Sequence, residues 1–88
     1  MNWSVDLSRD AQKELEDLPK DVRKRVERAI DEMEVDPFGS NVKALKGPEW
    51  KGRYRKRVGH YRIIFMPNHE EKTVGISAIL IRSKKTYR

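Results

Sequence analysis

The chain of 88 residues carries 20 Lys and Arg against 14 Asp and Glu, a formal net charge of +6, with 36% hydrophobic residues and no cysteine. One domain of this length buries only a little over ~60% of the surface its unfolded chain exposes, so the core is expected to be small and to gain from a partner. Disulfides, thiolate nucleophiles and thiolate metal sites are excluded, and with neither a membrane-length apolar run nor a signal-peptide core in MNWSVDLSRD, a soluble, cytoplasmic protein is expected.

The charge is unevenly spread. Residues 1–36 hold 7 Lys and Arg against 11 Asp and Glu, and residues 37–88 hold 13 against 3, so the first part is net −4 and the second net +10. A basic surface contributed by the second part points to a polyanionic partner.

In chain order, NWSVDL alternates Trp3, Val5 and Leu7 with polar residues, the period of a half-buried strand. Ser8 is placed to cap a helix with Asp10 in its first turn, and Ala11, Leu15 and Leu18 recur at helical spacing to about Leu18. Pro19 suits the first turn of a second helix, in which Val22, Val26, Ala29, Ile30 and Met33 form one apolar stripe that ends near VDPFGS. NVKALKGPEWKG reads as an irregular link broken by Gly47, Pro48 and Gly52. RYRKRV and YRIIFM flank Gly59-His60, which predicts a hairpin with a two-residue type II′ turn, and after the turn PNHEEK the segment TVGISAILI makes a last strand before the basic tail RSKKTYR. The whole predicts a single α+β domain over residues 1–88, β-α-α-β-β-β, with two helices packed on one face of a largely antiparallel sheet.

With Gly59-His60 as the turn, Val58 pairs with Tyr61, Arg57 with Arg62, Lys56 with Ile63, and Arg55 with Ile64. Partners directly across a ladder share a face, so Arg55, Arg57 and Arg62 cluster, and Arg57 directly opposite Arg62 opposes stability. A phosphate chain offsets such a cluster well, because each guanidinium offers a planar fork of donors. The same register turns Lys56 to the opposite face.

YRKRVGHYRIIF resembles the corresponding hairpin segment of the RelE/ParE superfamily of toxin–antitoxin toxins. LPKDVRKRV and IRSKKTYR sit where that superfamily has its second helix and its basic, Tyr-ending tail. The resemblance spans nearly the whole chain and implies the RelE-like microbial RNase fold. For RelE-type members it implies a ribosome-dependent mRNA interferase that uses no cofactor or metal. Such an endoribonuclease cuts mRNA in the ribosomal A site by attack of the substrate's 2′-OH on the adjacent phosphate.

Carried over by position, the implied catalytic residues are Arg55, Arg57, Arg62, Arg82 and Tyr87, with Arg62 and Arg82 suited to clamp the scissile phosphate and Tyr87 to stack on a base or assist proton transfer. Arg53, Lys56, Lys84 and Lys85 complete the RNA-contacting set. Where relatives commonly offer lysine, this chain has Arg55 and Arg57, and arginine stays protonated, so the general base is left to Lys84, Lys85, Tyr87 or His60. His60 and His69 are isolated in sequence, and no metal-ligand spacing or Ser-His-Asp arrangement is present.

The partners implied are a RelB-like antitoxin that masks the basic face, the ribosome with its mRNA, and operator DNA reached through the antitoxin. Two other readings fit the same pattern: a ParE-type inhibitor of DNA gyrase, and a non-catalytic RNA-binding module.

Overall fold

The computed structural model describes residues 3–81. Strand β1, Ser4–Leu7, leads into helix α1, Arg9–Glu16, through Ser8, whose Oγ accepts the Ala11 N–H at 3.0 Å, satisfying one of the N–H groups that a helix start leaves open. Helix α2, Lys20–Val35, starts directly after Pro19, which stands at the cap position and accepts the Arg23 N–H at 2.7 Å. As the apolar stripe predicts, Val26, Ala29, Ile30 and Met33 are buried on one side of α2.

The link after α2 is more ordered than its sequence suggests. It contains a short strand β2, Val42–Ala44, and a 3₁₀ turn, Pro48–Trp50. Strands β3, Tyr54–Val58, and β4, Tyr61–Asn68, form the expected hairpin, and β5 runs over Thr73–Ile81. Strand β4 extends through Pro67, which the sequence places in the following turn. Pro67 pairs with Val74 of β5 at a height where β3 is no longer alongside, its last partner being Tyr54 against Phe65. A residue without an N–H is tolerated where one edge of the strand is open.

The five strands lie in the order β1-β5-β4-β3-β2, with β1 parallel to β5 and every other pairing antiparallel, which makes the sheet mixed. The core lies between this sheet and the two helices: Ala11 and Leu15 of α1 and Val26, Ala29, Ile30 and Met33 of α2 meet Ile63, Phe65, Val74, Ile76 and Ile79. Strict alternation does not place both Ile76 and Ile79 on one face. A register shift resolves this, because Ile64 pairs with Ala78 and Phe65 with Ile76, leaving Ser77 as an extra residue in β5. Helix α1 secures this irregularity: Ser8 Oγ donates to the Ser77 carbonyl at 3.2 Å, and the Ile79 N–H donates to Glu14 Oε1 at 2.7 Å.

At one end of the sheet, Phe38 of the loop after α2 lies between His69 and Tyr54. It stacks on His69 with centroids 5.4 Å apart and meets Tyr54 edge-on, also at 5.4 Å, while Trp3 contacts both Phe38 and His69 edge-on. His69 is thus a packing residue that joins the N-terminal strand, this loop and the β4–β5 turn. Among the described residues, no helix is long and apolar enough to cross a membrane.

Candidate functional site

The site begins at the hairpin turn. Gly59 has φ 59°, while His60 is not in the positive-φ region, which matches the type II′ geometry, where only the first central residue needs φ above zero. The turn fixes the register as Val58↔Tyr61, Arg57↔Arg62, Lys56↔Ile63 and Arg55↔Ile64, the pairing read from the sequence. The Arg57 N–H donates to the Asn41 carbonyl at 3.0 Å, away from β4, so Arg57 and Arg62 face each other as a non-hydrogen-bonded pair. That is the closer of the two antiparallel spacings, and it brings the two side chains as near as a sheet allows.

Both helices cover the face that carries Ile63 and Phe65, so the arginines stand on the face that no described helix covers. Arg57 is exposed, whereas Arg55 and Arg62 are half-buried. Ile64 explains the difference: it shares the open face, yet only 4% of it is exposed. Its neighbours there are Arg55 and Ala78 across the ladders and Arg62 and Met66 along its own strand, and long cationic side chains lay their aliphatic stems over an apolar residue while keeping the charge in water. Lys43 of β2, directly opposite Arg55, adds a cation on this face. It belongs to the segment read as irregular, and only pairing with β3 gives it a face. Arg53 lies further along, beside Met66 and Asp6, at a hollow of about 440 Å³.

No carboxylate among the described residues forms an ion pair with Arg57 or Arg62, since the helix acids lie on the opposite side of the sheet. Lys56 is placed differently from the other candidate cations. It is 5% exposed on the helix side, and its Nζ donates to the Ser40 carbonyl at 3.1 Å and lies 3.9 Å from Glu32 Oε1. That engagement sets Lys56 apart from the other cations of the RNA-contacting set expected from the sequence, because its ammonium is held and buried where its loss of hydration demands a partner. Arg82, Lys84, Lys85 and Tyr87 lie outside the described residues. His60 is exposed at the hairpin tip.

The described residues bring Arg55, Arg57 and Arg62 together, with Lys43 and Arg53 flanking them. Several guanidiniums converging on one face can grip a phosphate bidentately and stabilise added negative charge as a phosphate becomes pentavalent. They cannot accept a proton. Among the described residues, no group of three or more His, Asp or Glu side chains is placed to hold a metal ion.

The fold has close counterparts. The chain superposes on the RelE–RelB complex of the archaeon Pyrococcus horikoshii with a TM-score of 0.82 and 29% identity, covering 96% of this chain and 99% of that one. The RelB–RelE complex of Methanococcus jannaschii gives 0.71 and 28%, covering 92% and 93%. The RelBE2 complex of Mycobacterium tuberculosis gives 0.82 at 23% identity, covering 93% and 100%, a likeness of fold. A comparison with curated protein sequences returned no match. The family model for the ParE toxin of the type II toxin–antitoxin system parDE matches residues 5–86. Matched over nearly its whole length and built on the same two-helix, five-strand plan, the chain belongs to this toxin family, within the RelE/ParE superfamily.

Proposed function

We propose that this toxin is a cytoplasmic, ribosome-dependent mRNA endonuclease whose open sheet face holds the scissile phosphate in the A site. The observation that carries the reading is the Arg57–Arg62 pair, two cations forced together on an uncovered face with no carboxylate partner among the described residues. In this reading Arg62 and Arg57, with Arg55 beside them, bind the phosphate and stabilise the charge that builds as the substrate's 2′-OH attacks it. The described arginines supply positioning and charge, and the proton acceptor is sought in the tail, at Lys84, Lys85 or Tyr87, with Arg82 as a further phosphate ligand. A RelB-like antitoxin, the partner named for the solved RelE complexes, covers the basic face and silences it, and operator DNA is reached through that antitoxin.

The test is cell-free translation with mapping of mRNA ends. Wild-type protein is expected to give breaks in codons at ribosomal A sites. Arg62→Met keeps the stem over Ile64 and removes the charge, and is expected to abolish the breaks while leaving the fold intact. A second reading is supported by the family match itself, which is to the ParE branch. Inhibited supercoiling by DNA gyrase with intact mRNA would favour that reading over the nuclease.

A further inference from the structure

A second cationic surface lies behind the arginine face, on the helix side of the hairpin. Arg25, Arg28 and Glu32 project from one face of α2 at i, i+3 and i+7 toward Asn41, Lys56 and Arg57, and together they line a groove of about 270 Å³. Its charges are unequal. Lys56 is held by Glu32 and the Ser40 carbonyl, which leaves Arg25, Arg28 and Arg57 as cations with no carboxylate partner among the described residues. The wall is shaped for one of them: a Cβ on Gly59 would stand 3.3 Å from the Arg25 Nη2, so the side-chain-free turn residue leaves the space beside which this guanidinium lies. The groove also connects to the face described above. Asn41 and Arg57 line a second hollow of about 320 Å³ with Lys43 and Arg55, so Arg57 stands at the junction of the two.

We propose that the groove between α2 and the β3–β4 turn is a second phosphate-binding site, which takes the RNA backbone as it passes Arg57 from the open face around the β2 edge of the sheet. Regularly spaced phosphates suit this path, because a strand held at Arg55 and Arg57 presents its neighbouring phosphates to Arg25 and Arg28, whose guanidiniums bind such groups by paired donors. The inference rests on the proposed function only for the identity of the polyanion. The phosphates belong either to the bound strand or to ribosomal RNA.

The experiment measures the salt dependence of binding for the full chain and for Arg25→Gln, Arg28→Gln and the double variant. The probes are a labelled RNA trinucleotide, a labelled RNA dodecamer and purified ribosomes. Lys24→Gln, an exposed position on α2 that does not line the groove, is the charge-matched control. Each groove variant is expected to flatten the slope of log affinity against log salt by about one unit, and the double by about two, beyond the control. An effect on the dodecamer and not on the trinucleotide identifies the bound strand as the source, and an effect on ribosomes alone identifies ribosomal RNA; both support the site. Slopes equal to the control with all three probes overturn it. Cleavage assayed in parallel separates the two ideas: groove-dependent RNA binding by a wild-type protein that cuts nothing supports the groove and overturns the nuclease, whereas cleavage with unchanged slopes overturns the groove alone.

Discussion

Reversing the charge at Arg57 is expected to make this protein more stable while removing the proposed RNA cleavage. Arg57 and Arg62 face each other as a non-hydrogen-bonded cross-strand pair, and no carboxylate among the described residues offsets either one. With Arg57 exposed, water screens the interaction, and two unit charges about 6 Å apart in water interact by roughly 0.7 kcal/mol. Arg57→Glu removes that repulsion and substitutes an attraction of similar size, a gain of roughly 1.4 kcal/mol. The lower strand preference of glutamate subtracts a few tenths, leaving about 1 kcal/mol at low salt. For a domain of this size that raises the melting temperature by roughly 4–8 °C. Arg57→Gln should show about half the gain.

The assay is thermal melting followed by circular dichroism at low salt and again at about 0.5 M, where a Debye length of only a few ångströms should shrink the difference. A variant that melts at or below the wild-type temperature in low salt would refute the reasoning. So would a gain that salt does not diminish, because the stabilisation would then not be electrostatic.

Gly59→Ala forces an L side chain into φ 59° and sets a methyl 3.3 Å from the Arg25 guanidinium, and should cost about 1–2 kcal/mol in urea unfolding without changing the slope of the transition. Glu14→Ala removes the carboxylate that accepts the Ile79 N–H beside the Ser77 irregularity. It should cost about 1.5–3 kcal/mol and speed hydrogen exchange at that amide relative to the rest of β5. Phe65→Ala empties a position that is 0% exposed at the centre of the core and should cost about 3–5 kcal/mol. A loss that large takes much of the stability of a domain this small, so little folded protein should remain in denaturant titration at 37 °C.

The hairpin register was legible because two signals coincide: a glycine where positive φ is required, and strand-forming runs of matching length on either side. The apolar stripe of α2 was legible for the same kind of reason, since it repeats locally over three turns. Features created by long-range pairing were not legible. Val42–Ala44 is too short to display a period and becomes a strand only by pairing with Lys56, Arg55 and Tyr54. The parallel contact of β1 with β5 joins Ser4 to Thr73, a distance in sequence that no local pattern encodes. Ser77 breaks the alternation of TVGISAILI, so counting by twos assigns Ile76 and Ile79 to opposite faces, although both are in the core. Lys56 counts as one more cation in a basic strand until the Ser40 carbonyl and Glu32 are found beside it.

The alternation of the hairpin settles what each of its cations can do. Even positions of β3 face the helices, so Lys56 enters a buried setting where its charge must be met by the Ser40 carbonyl and Glu32, and it becomes part of the scaffold. Odd positions face outward, so Arg55 and Arg57 stand on the uncovered face, and the carboxylates of the two helices lie across the sheet from Arg57, which has no ion-pair partner among the described residues. Arg62 joins them from β4 through the two-residue turn. The apolar floor at Ile64 keeps this arrangement tolerable, because long cationic stems beside it retain a hydrophobic contribution while their charged ends reach water. On the proposed function, a phosphate or an acidic antitoxin segment placed on this face would remove a repulsion already present in the free protein, and part of the binding free energy would come from relieving it. The same relief is expected to make charge reversal at Arg57 stabilising, so the cost to the fold and the anion binding of the proposed function would have one source.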